Sequence, residues 1–295
     1  MKERYLLILL IIAMFLWGSS WPSSKILTTY ADASVVAFWR FFFVFLGTLF
    51  VIIALKIPLK INKSALKWVL IAAFLNALYT FIFFIALRYG FAGKGGVLVT
   101  TMIPMFSYLI FIVVLLFSKN KLRDKISKYE LLGLFLGLLS GLCLLNLNSI
   151  DELFGRFNIL FLSCAFIWAL IGVFTKKAGK IHPLSISFYI NLISLLLFSW
   201  VLFDEKSLLV FTYDFKFWAN LLSVAFLSTV IGTSIYYYAI FVLGSIKANS
   251  FILITPASAL ICSYFLLNEK PNFITLIGCC LSILAIFFMN IYSKK

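Results

Sequence analysis

The side chains with the most binding potential in this sequence are aromatic and hydroxyl groups inside long apolar segments. In the first segment Trp17, Trp21 and Lys25 are four residues apart, with Ser20 beside them, so a helix would carry them on one face. Pro22 has no N–H, and its ring crowds the carbonyl four residues earlier, which bends a helix and frees an acceptor. The pattern favours a bent helix that lines a cavity. The alternative for Trp21 and Lys25 is an interfacial belt, with the lysine reaching the membrane surface.

Two further prolines, Pro104 and Pro256, lie inside apolar segments among hydroxyl side chains, and each frees a carbonyl within its helix. We predict that such polar and aromatic faces surround one cavity. The residues expected to contact the substrate are Trp17, Ser20, Trp21, Arg40, Asn76, Tyr79, Thr80, Thr101, Pro104, Tyr108, Trp168, Asn191, Thr233, Tyr236, Tyr237 and Pro256. For the serines and threonines, hydrogen bonding between packed helices is the simpler explanation, and a plain kink is the simpler one for each proline alone.

Arg40 is the most deeply placed charge, about seven residues into its apolar segment. Its guanidinium could bind a substrate carboxylate, reach the membrane surface, or pair with Asp32. All ten Asp and Glu residues lie in loops or at segment ends. Since a proton relay normally uses a carboxylate within the bilayer, we expect facilitated diffusion, or coupling through groups near the membrane surface.

These residues belong to a chain that is 64% hydrophobic and only 12% charged, whereas soluble domains are about 45–50% apolar and about 25% charged. The composition indicates a polytopic membrane protein. Apolar runs long enough to cross a bilayer lie near residues 5–26, 33–55, 67–88, 94–117, 128–147, 157–177, 183–203, 216–242, 247–267 and 272–292. Because lipid offers no partner for an open backbone, the predicted fold class is all-α with ten transmembrane helices.

The distribution of charge predicts the orientation of these spans. In this layout 17 of the 25 Lys and Arg residues fall on the side of Met1 and 8 on the other side. Cytoplasmic loops are enriched in Lys and Arg, so we expect both termini in the cytoplasm and the chain in the inner cell membrane. The net charge of +15 does not indicate nucleic acid, because the charges form short clusters between apolar runs.

The two halves of the sequence resemble each other. Trp17 precedes Lys25 by eight residues and Trp168 precedes Lys176 by eight, each in the first helix of its half. The two mid-helix prolines also occupy corresponding segments. Five spans is an odd number, so the second half must be inverted relative to the first, as in many secondary transporters. We therefore predict two five-helix repeats, residues 1–147 and 148–295, around a central cavity.

Four stretches carry a wider similarity. They are WGSSW in the first helix, FWRF in the second, ALRYGFAGKGGVLVTTMIPMFSYLI across the third and fourth, and STVIGTSIYYYAIFVLGSIKANSFILITPASALICSYFLLNEKPNFITLIG across the eighth to tenth. In this order they resemble the EamA-like branch of the drug/metabolite transporter superfamily. That family often has an acidic residue after both helix 4 and helix 9. Here Glu269 follows helix 9, but SKNK follows helix 4.

The resemblance implies a transporter that exports amino acids or related metabolites by alternating access. Efflux of drug-like compounds, metabolite import and a lipid-handling role are the alternatives. The five cysteines lie in apolar runs and the single histidine in a polar gap, so we expect no enzyme, metal or cofactor. Gly133, Gly137 and Gly141 in the fifth helix have the spacing of close helix contacts. We expect them to pack within a monomer, with Gly278 and Ser282 of the tenth helix.

Overall fold

The computed structural model describes residues 3–117, 128–145, 156–179, 181–243, 248 and 251–288. All regular secondary structure in this part of the chain is helical, which confirms the predicted all-α class. The eleven α-helices are α1 (Glu3–Leu27), α2 (Ala33–Ala54), α3 (Lys63–Tyr89), α4 (Ala92–Phe117), α5 (Lys128–Leu145), α6 (Arg156–Lys177), α7 (Pro183–Leu197), α8 (Phe215–Leu222), α9 (Thr233–Leu243), α10 (Ile254–Leu267) and α11 (Phe273–Phe287).

Several helices are long and apolar enough to cross a membrane. Six such stretches are Arg4–Leu27, Ala33–Ala54, Lys63–Tyr89, Asn158–Lys177, Pro183–Phe203 and Phe215–Ala239. Shorter apolar helices are Leu131–Leu144, Ile254–Leu267 and Phe273–Phe287. Large apolar side chains such as Phe50 and Phe265 are exposed on the bundle surface, as expected of groups that meet lipid.

The span predicted at 216–242 is divided in the structure. It begins as α8, continues through a π-helical segment at Ser223–Gly232 and ends as α9, without a break in the chain. The indole Nε1 of Trp17 donates to the Ser228 carbonyl at 3.0 Å. A side chain that takes a backbone acceptor in this way loosens the i→i−4 ladder and favours a wider turn. The described residues therefore form eleven α-helices, where the sequence predicts ten spans.

The helices pack in pairs that join the two halves of the chain. α1 packs against α10 and the π segment, α3 against α6 and α7, α4 against α6 and α10, and α2 against α7. Small residues allow the closest contacts. A Cβ atom on Gly18 would lie 1.8 Å from Ser258 Oγ, and one on Gly96 would lie 2.8 Å from Ala259 Cβ. The backbones of α1 and α4 therefore approach α10 closely only because these positions are glycines.

α5 and α11 form a pair at one side of the bundle. Ser140 Oγ donates to the Gly278 carbonyl at 2.7 Å, and the glycine itself faces Leu144. On its other face α5 packs Gly137 and Gly141 against methionine side chains of α4. Gly137 and Gly141 thus pack within the chain against α4, while Gly278 packs against the Leu144 side chain of α5.

The link between α7 and α8 is itself folded. It contains two short 3₁₀ helices, Ser199–Phe203 and Glu205–Thr212. The indole Nε1 of Trp39 donates to the Ser207 carbonyl at 3.0 Å, and Val210 is fully buried. These contacts fix the link against α2.

Candidate substrate cavity

The Lys25 end of the bundle contains the last turn of α1, the junction of α3 and α4, and the residues after α10. There Lys25 Nζ lies 2.8 Å from Glu269 Oε1 and donates to the Gly90 carbonyl at 2.7 Å. The Glu269 carboxylate also accepts from the backbone N–H groups of Ala92 and Gly93, each at 3.0 Å. The N-terminus of a helix carries unpaired N–H groups and favours an anion, so this carboxylate satisfies two of the N–H groups at the start of α4. We call these five residues the Glu269 cluster; it connects four helix ends, those of α1, α3 and α10 and the start of α4.

One turn deeper, Trp21 closes the interior at the same end. It is only 6% exposed, its ring centroid is 5.0 Å from that of Phe83, and Phe161 of α6 lies on another side. A Cβ atom on Gly96 would lie 3.2 Å from the indole, so α4 covers it as well. Trp21 is therefore inside the bundle, and its alternative assignment to an interfacial belt is wrong.

The opposite half of α6 faces an open space. Ile159 and Phe166 lie on the lipid-facing stripe of this helix, whereas Trp168 is 42% exposed although it projects about 160° away from Phe166. One turn further along, a Cβ atom on Gly172 would have no heavy atom within 4 Å. Because this face points into the bundle, its exposure indicates an internal cavity rather than contact with lipid.

The Lys177 end of the bundle contains the start of α3 and the end of α6. At this end Trp68 stacks on Phe174, with ring centroids 5.8 Å apart. The Nζ atoms of Lys67 and Lys177 each lie 4.8 Å from the Trp68 ring centroid. The described residues at this end include no acidic side chain that pairs with these lysines. The two ends of the bundle thus differ in their contacts: an ion pair and backbone hydrogen bonds join the helices at the Lys25 end, whereas aromatic stacking and cation–π contacts join α3 and α6 at the Lys177 end.

Two tryptophan–tyrosine pairs each join the two halves of the chain. The Trp17 and Tyr236 ring centroids are 5.1 Å apart with an interplanar angle of 57°, and those of Trp168 and Tyr79 are 4.9 Å apart at 55°. Tyr237 lies next to Tyr236, with ring centroids 5.9 Å apart. In each pair a tryptophan from one half of the chain contacts a tyrosine from the other half, with nearly equal ring geometry. Such faces can bind apolar groups and cations.

Arg40 provides a charged group in the interior. Its Nη1 atom lies 3.4 Å from Thr80 Oγ1, and its Nε atom is buried without a hydrogen-bond partner. The possible partner Asp32 instead accepts from Arg88 at 2.8 Å, so pairing of Arg40 with Asp32 is wrong. The structure thus brings Arg40, Thr80, Tyr79 and Trp168 into one group.

The other predicted contacts divide into two sets. Thr101 and Asn191 are buried and donate to carbonyls of their own helices, while Asn76 donates to Ser194 Oγ on α7 at 3.1 Å. Pro256 is buried in the first turn of α10. For this set, helix packing explains the polar groups. Partly buried positions are Ser20, Pro104, Tyr108 and Thr233.

Reasoning from the sequence missed Gly172 and gave Glu269 no role. A signal for Gly172 was present, because the 151-residue spacing that carries Trp17 to Trp168 also carries Trp21 to Gly172. The bulky residue closes the Lys25 end, and its glycine counterpart leaves the other half open. The partners of Glu269 had no signal, because Lys25 is 244 positions away in the chain.

Comparison with known proteins gives concordant results. A family model described as the EamA-like transporter family matches residues 4–146 and 156–291. The chain is 26% identical over 294 residues to the uncharacterized transporter YoaV of Bacillus subtilis (strain 168), covering 96% of each protein. It is 23% identical over 296 residues to the uncharacterized transporter YyaM of that organism, covering 97% of this chain and 93% of the relative. A solved crystal structure shares the fold, with a TM-score of 0.61, 15% identity and 99% coverage of both chains.

Proposed function

Because the chain belongs to the EamA-like transporter family, we propose that it is an exporter of amino acids or related small neutral or zwitterionic metabolites. It is a multi-pass membrane protein, and we place it in the inner cell membrane with both termini in the cytoplasm. Transport proceeds by alternating access, in which two repeats rock about a central cavity.

The repeats that this mechanism needs are residues 1–147 and 148–295, inverted relative to each other. The two matched ranges of the family model, one in each half, support this division. The helix contacts support it too, because α1 packs on the π segment and α10 as α6 packs on α3 and α4. The matching geometry of the pairs Trp17–Tyr236 and Trp168–Tyr79 is a third line of support.

The proposed direction of transport rests mainly on a difference between the two halves of the bundle: Trp168 and Gly172 border unfilled space in the half of α6 nearer the Lys177 end, while Trp21 and the Glu269 cluster are packed at the other end. We propose that the cavity opens at the Lys177 end. The excess of Lys and Arg on the side of Met1 supports a cytoplasmic position for the Lys177 end. A cavity that opens there loads substrate from inside the cell, which supports export.

The chemistry of the walls supports the substrate class. Trp168, Tyr79, Trp17 and Tyr236 supply aromatic faces. No acidic residue of the sequence lies in the middle of a span. We therefore propose that the driving force is the substrate gradient, or coupling through groups near the membrane surface.

The test is counterflow into proteoliposomes that contain the purified protein. Vesicles are loaded with one unlabelled L-amino acid at a time, and uptake of the labelled form is followed. We expect at least one apolar amino acid to exchange, and Trp168→Ala and Tyr79→Ala to reduce the rate. Trp200→Ala is the matched control, because that tryptophan is 54% exposed on the bundle surface. If no amino acid exchanges while a lipophilic dye does, the protein is a drug exporter instead.

A further inference from the structure

Arg40 carries a charge inside the bundle for which the described part of the chain supplies no anion. Its Nη1 atom is 3.4 Å from Thr80 Oγ1, near the long limit of a hydrogen bond, and its buried Nε atom has no partner. Both ion pairs among the described residues lie at the Lys25 end and involve other side chains. Every acid of the sequence lies in a loop or at a helix end.

A guanidinium group cannot escape this situation by losing its proton, since arginine stays charged in proteins. An unpaired charge in a low-dielectric interior is strongly unfavourable. Charged residues within membrane spans are accordingly rare, and they usually pair with another charge or mark a substrate path. Arg40 therefore requires an anion that this chain does not provide from its described residues.

The position of Arg40 on α2 rules out contact with the lipid tails. The exposed stripe of this helix runs through Leu46, Phe50 and Ile53, which are 40%, 73% and 67% exposed. Arg40 projects about 120° away from Leu46, on the flank that meets the other helices. Its partial exposure is thus towards the interior.

The interior surface next to Arg40 leads to the cavity. Thr80 follows Tyr79 on α3, and the Tyr79 ring contacts Trp168, which is exposed in the cavity. A small molecule with a negative group at one end could place that group at Arg40 and lie along the two aromatic rings. The planar fork of a guanidinium matches a carboxylate especially well.

We propose that the Arg40 guanidinium binds the carboxylate of the transported substrate, and that a carboxylate is required for recognition. This inference rests on the proposed transport function and narrows its substrate class. A zwitterionic amino acid satisfies the site fully, because its ammonium group can lie against the faces of Tyr79 and Trp168. A carboxylic acid without an ammonium group also binds, and an amide does not.

The test measures binding by thermal stabilisation of the purified protein in nanodiscs, so it does not depend on observing transport. The probes are L-alanine, L-leucine and L-phenylalanine, their three amides, and 3-phenylpropionate as a carboxylate that lacks the ammonium group. For the wild type we expect stabilisation by at least one carboxylate and by none of the amides. In Arg40→Gln we expect the apparent affinity for that carboxylate to fall about 10- to 100-fold. Arg40→Lys, which keeps the charge but loses the fork, should lie between the two.

Arg88→Gln is the matched control, because Arg88 pairs with Asp32 at the surface and should not alter binding. Without ligand, Arg40→Gln should melt at or above the wild-type temperature, since it removes a charge that has no partner. The inference is overturned if no carboxylate stabilises the wild type, if amides bind as well as acids, or if Arg40→Gln binds normally. If Arg40→Gln exchanges amino acids and binds them with wild-type affinity, the inference about Arg40 is wrong, whereas the proposed transport function still stands.

Discussion

Replacing Glu269 by glutamine should open the Lys25 end of the bundle. The carboxylate is held by Lys25 Nζ at 2.8 Å and by the backbone N–H groups of Ala92 and Gly93 at 3.0 Å. Glutamine keeps the size of the side chain and one acceptor oxygen, but it removes the charge and the second acceptor. Lys25 then loses its counter-ion, and one N–H at the start of α4 loses its acceptor.

The size of the effect follows from how buried the pair is. Breaking a buried ion pair costs about 3–5 kcal/mol, and an exposed pair is worth about 0–1 kcal/mol. The Lys25 and Glu269 side chains are 22% and 10% exposed, so the pair is close to the buried case. We therefore expect a loss of about 2–3 kcal/mol, which corresponds to roughly a 30- to 150-fold change in the closed-to-open ratio at this end.

Hydrogen exchange measured by mass spectrometry reports this change directly. The Ala92 and Gly93 amides exchange only when the Glu269 cluster opens, so their exchange in Glu269→Gln should accelerate by a similar factor. Asp32→Asn is the control, because it breaks the Arg88 pair at the same end, where the side chains are 48% and 58% exposed. Unchanged exchange in Glu269→Gln, or equal acceleration in Asp32→Asn, would refute the role of the cluster in holding this end closed.

Three further predictions address the cavity, the packing and the loops. Gly172→Trp should abolish counterflow without unfolding the protein, because the open space at this position accommodates the indole. The indole would then block the proposed substrate path. Transport by this variant would contradict that path. Gly18→Ala should lower the free energy of unfolding by about 1–3 kcal/mol and so lower the melting temperature, since its Cβ would overlap Ser258 Oγ. Gly172→Ala should leave the melting temperature unchanged. The backbone N–H of Phe217 and the Tyr30 hydroxyl both donate to the Asp214 carboxylate and hold its pKa below the ordinary value. The same hydrogen bond raises the pKa of Tyr30. The contribution of Asp214 to folding stability is therefore lost as pH falls through its lowered pKa, and the contribution of Tyr30 is lost as pH rises through its raised pKa. Tyr30→Phe should melt below the wild type near neutral pH, and this difference should shrink at both extremes of a pH series.

The helical class and the approximate spans could be predicted from the sequence because they depend on local properties. A run of about 20 apolar residues must be helical in lipid whatever it packs against. The aromatic candidates Trp17, Tyr79, Trp168 and Tyr236 could be named for a similar reason, since large polar-tipped side chains within a span need an interior surface. The π segment at Ser223–Gly232 could not be predicted, because the indole bonded to it comes from α1.

By itself, the sequence determined that this protein is an all-α membrane protein with transporter-like motifs and a repeated Trp-to-Lys spacing. Only the tertiary structure decided what each of those residues does. It placed Lys25 against Glu269, buried Trp21 between helices of both halves, left the space beside Gly172 open and left Arg40 without an anion. The physical reason is that pairing and exposure depend on which helix faces meet. The contacts between helix faces join residues as far as 244 positions apart, and no local sequence pattern specifies such contacts.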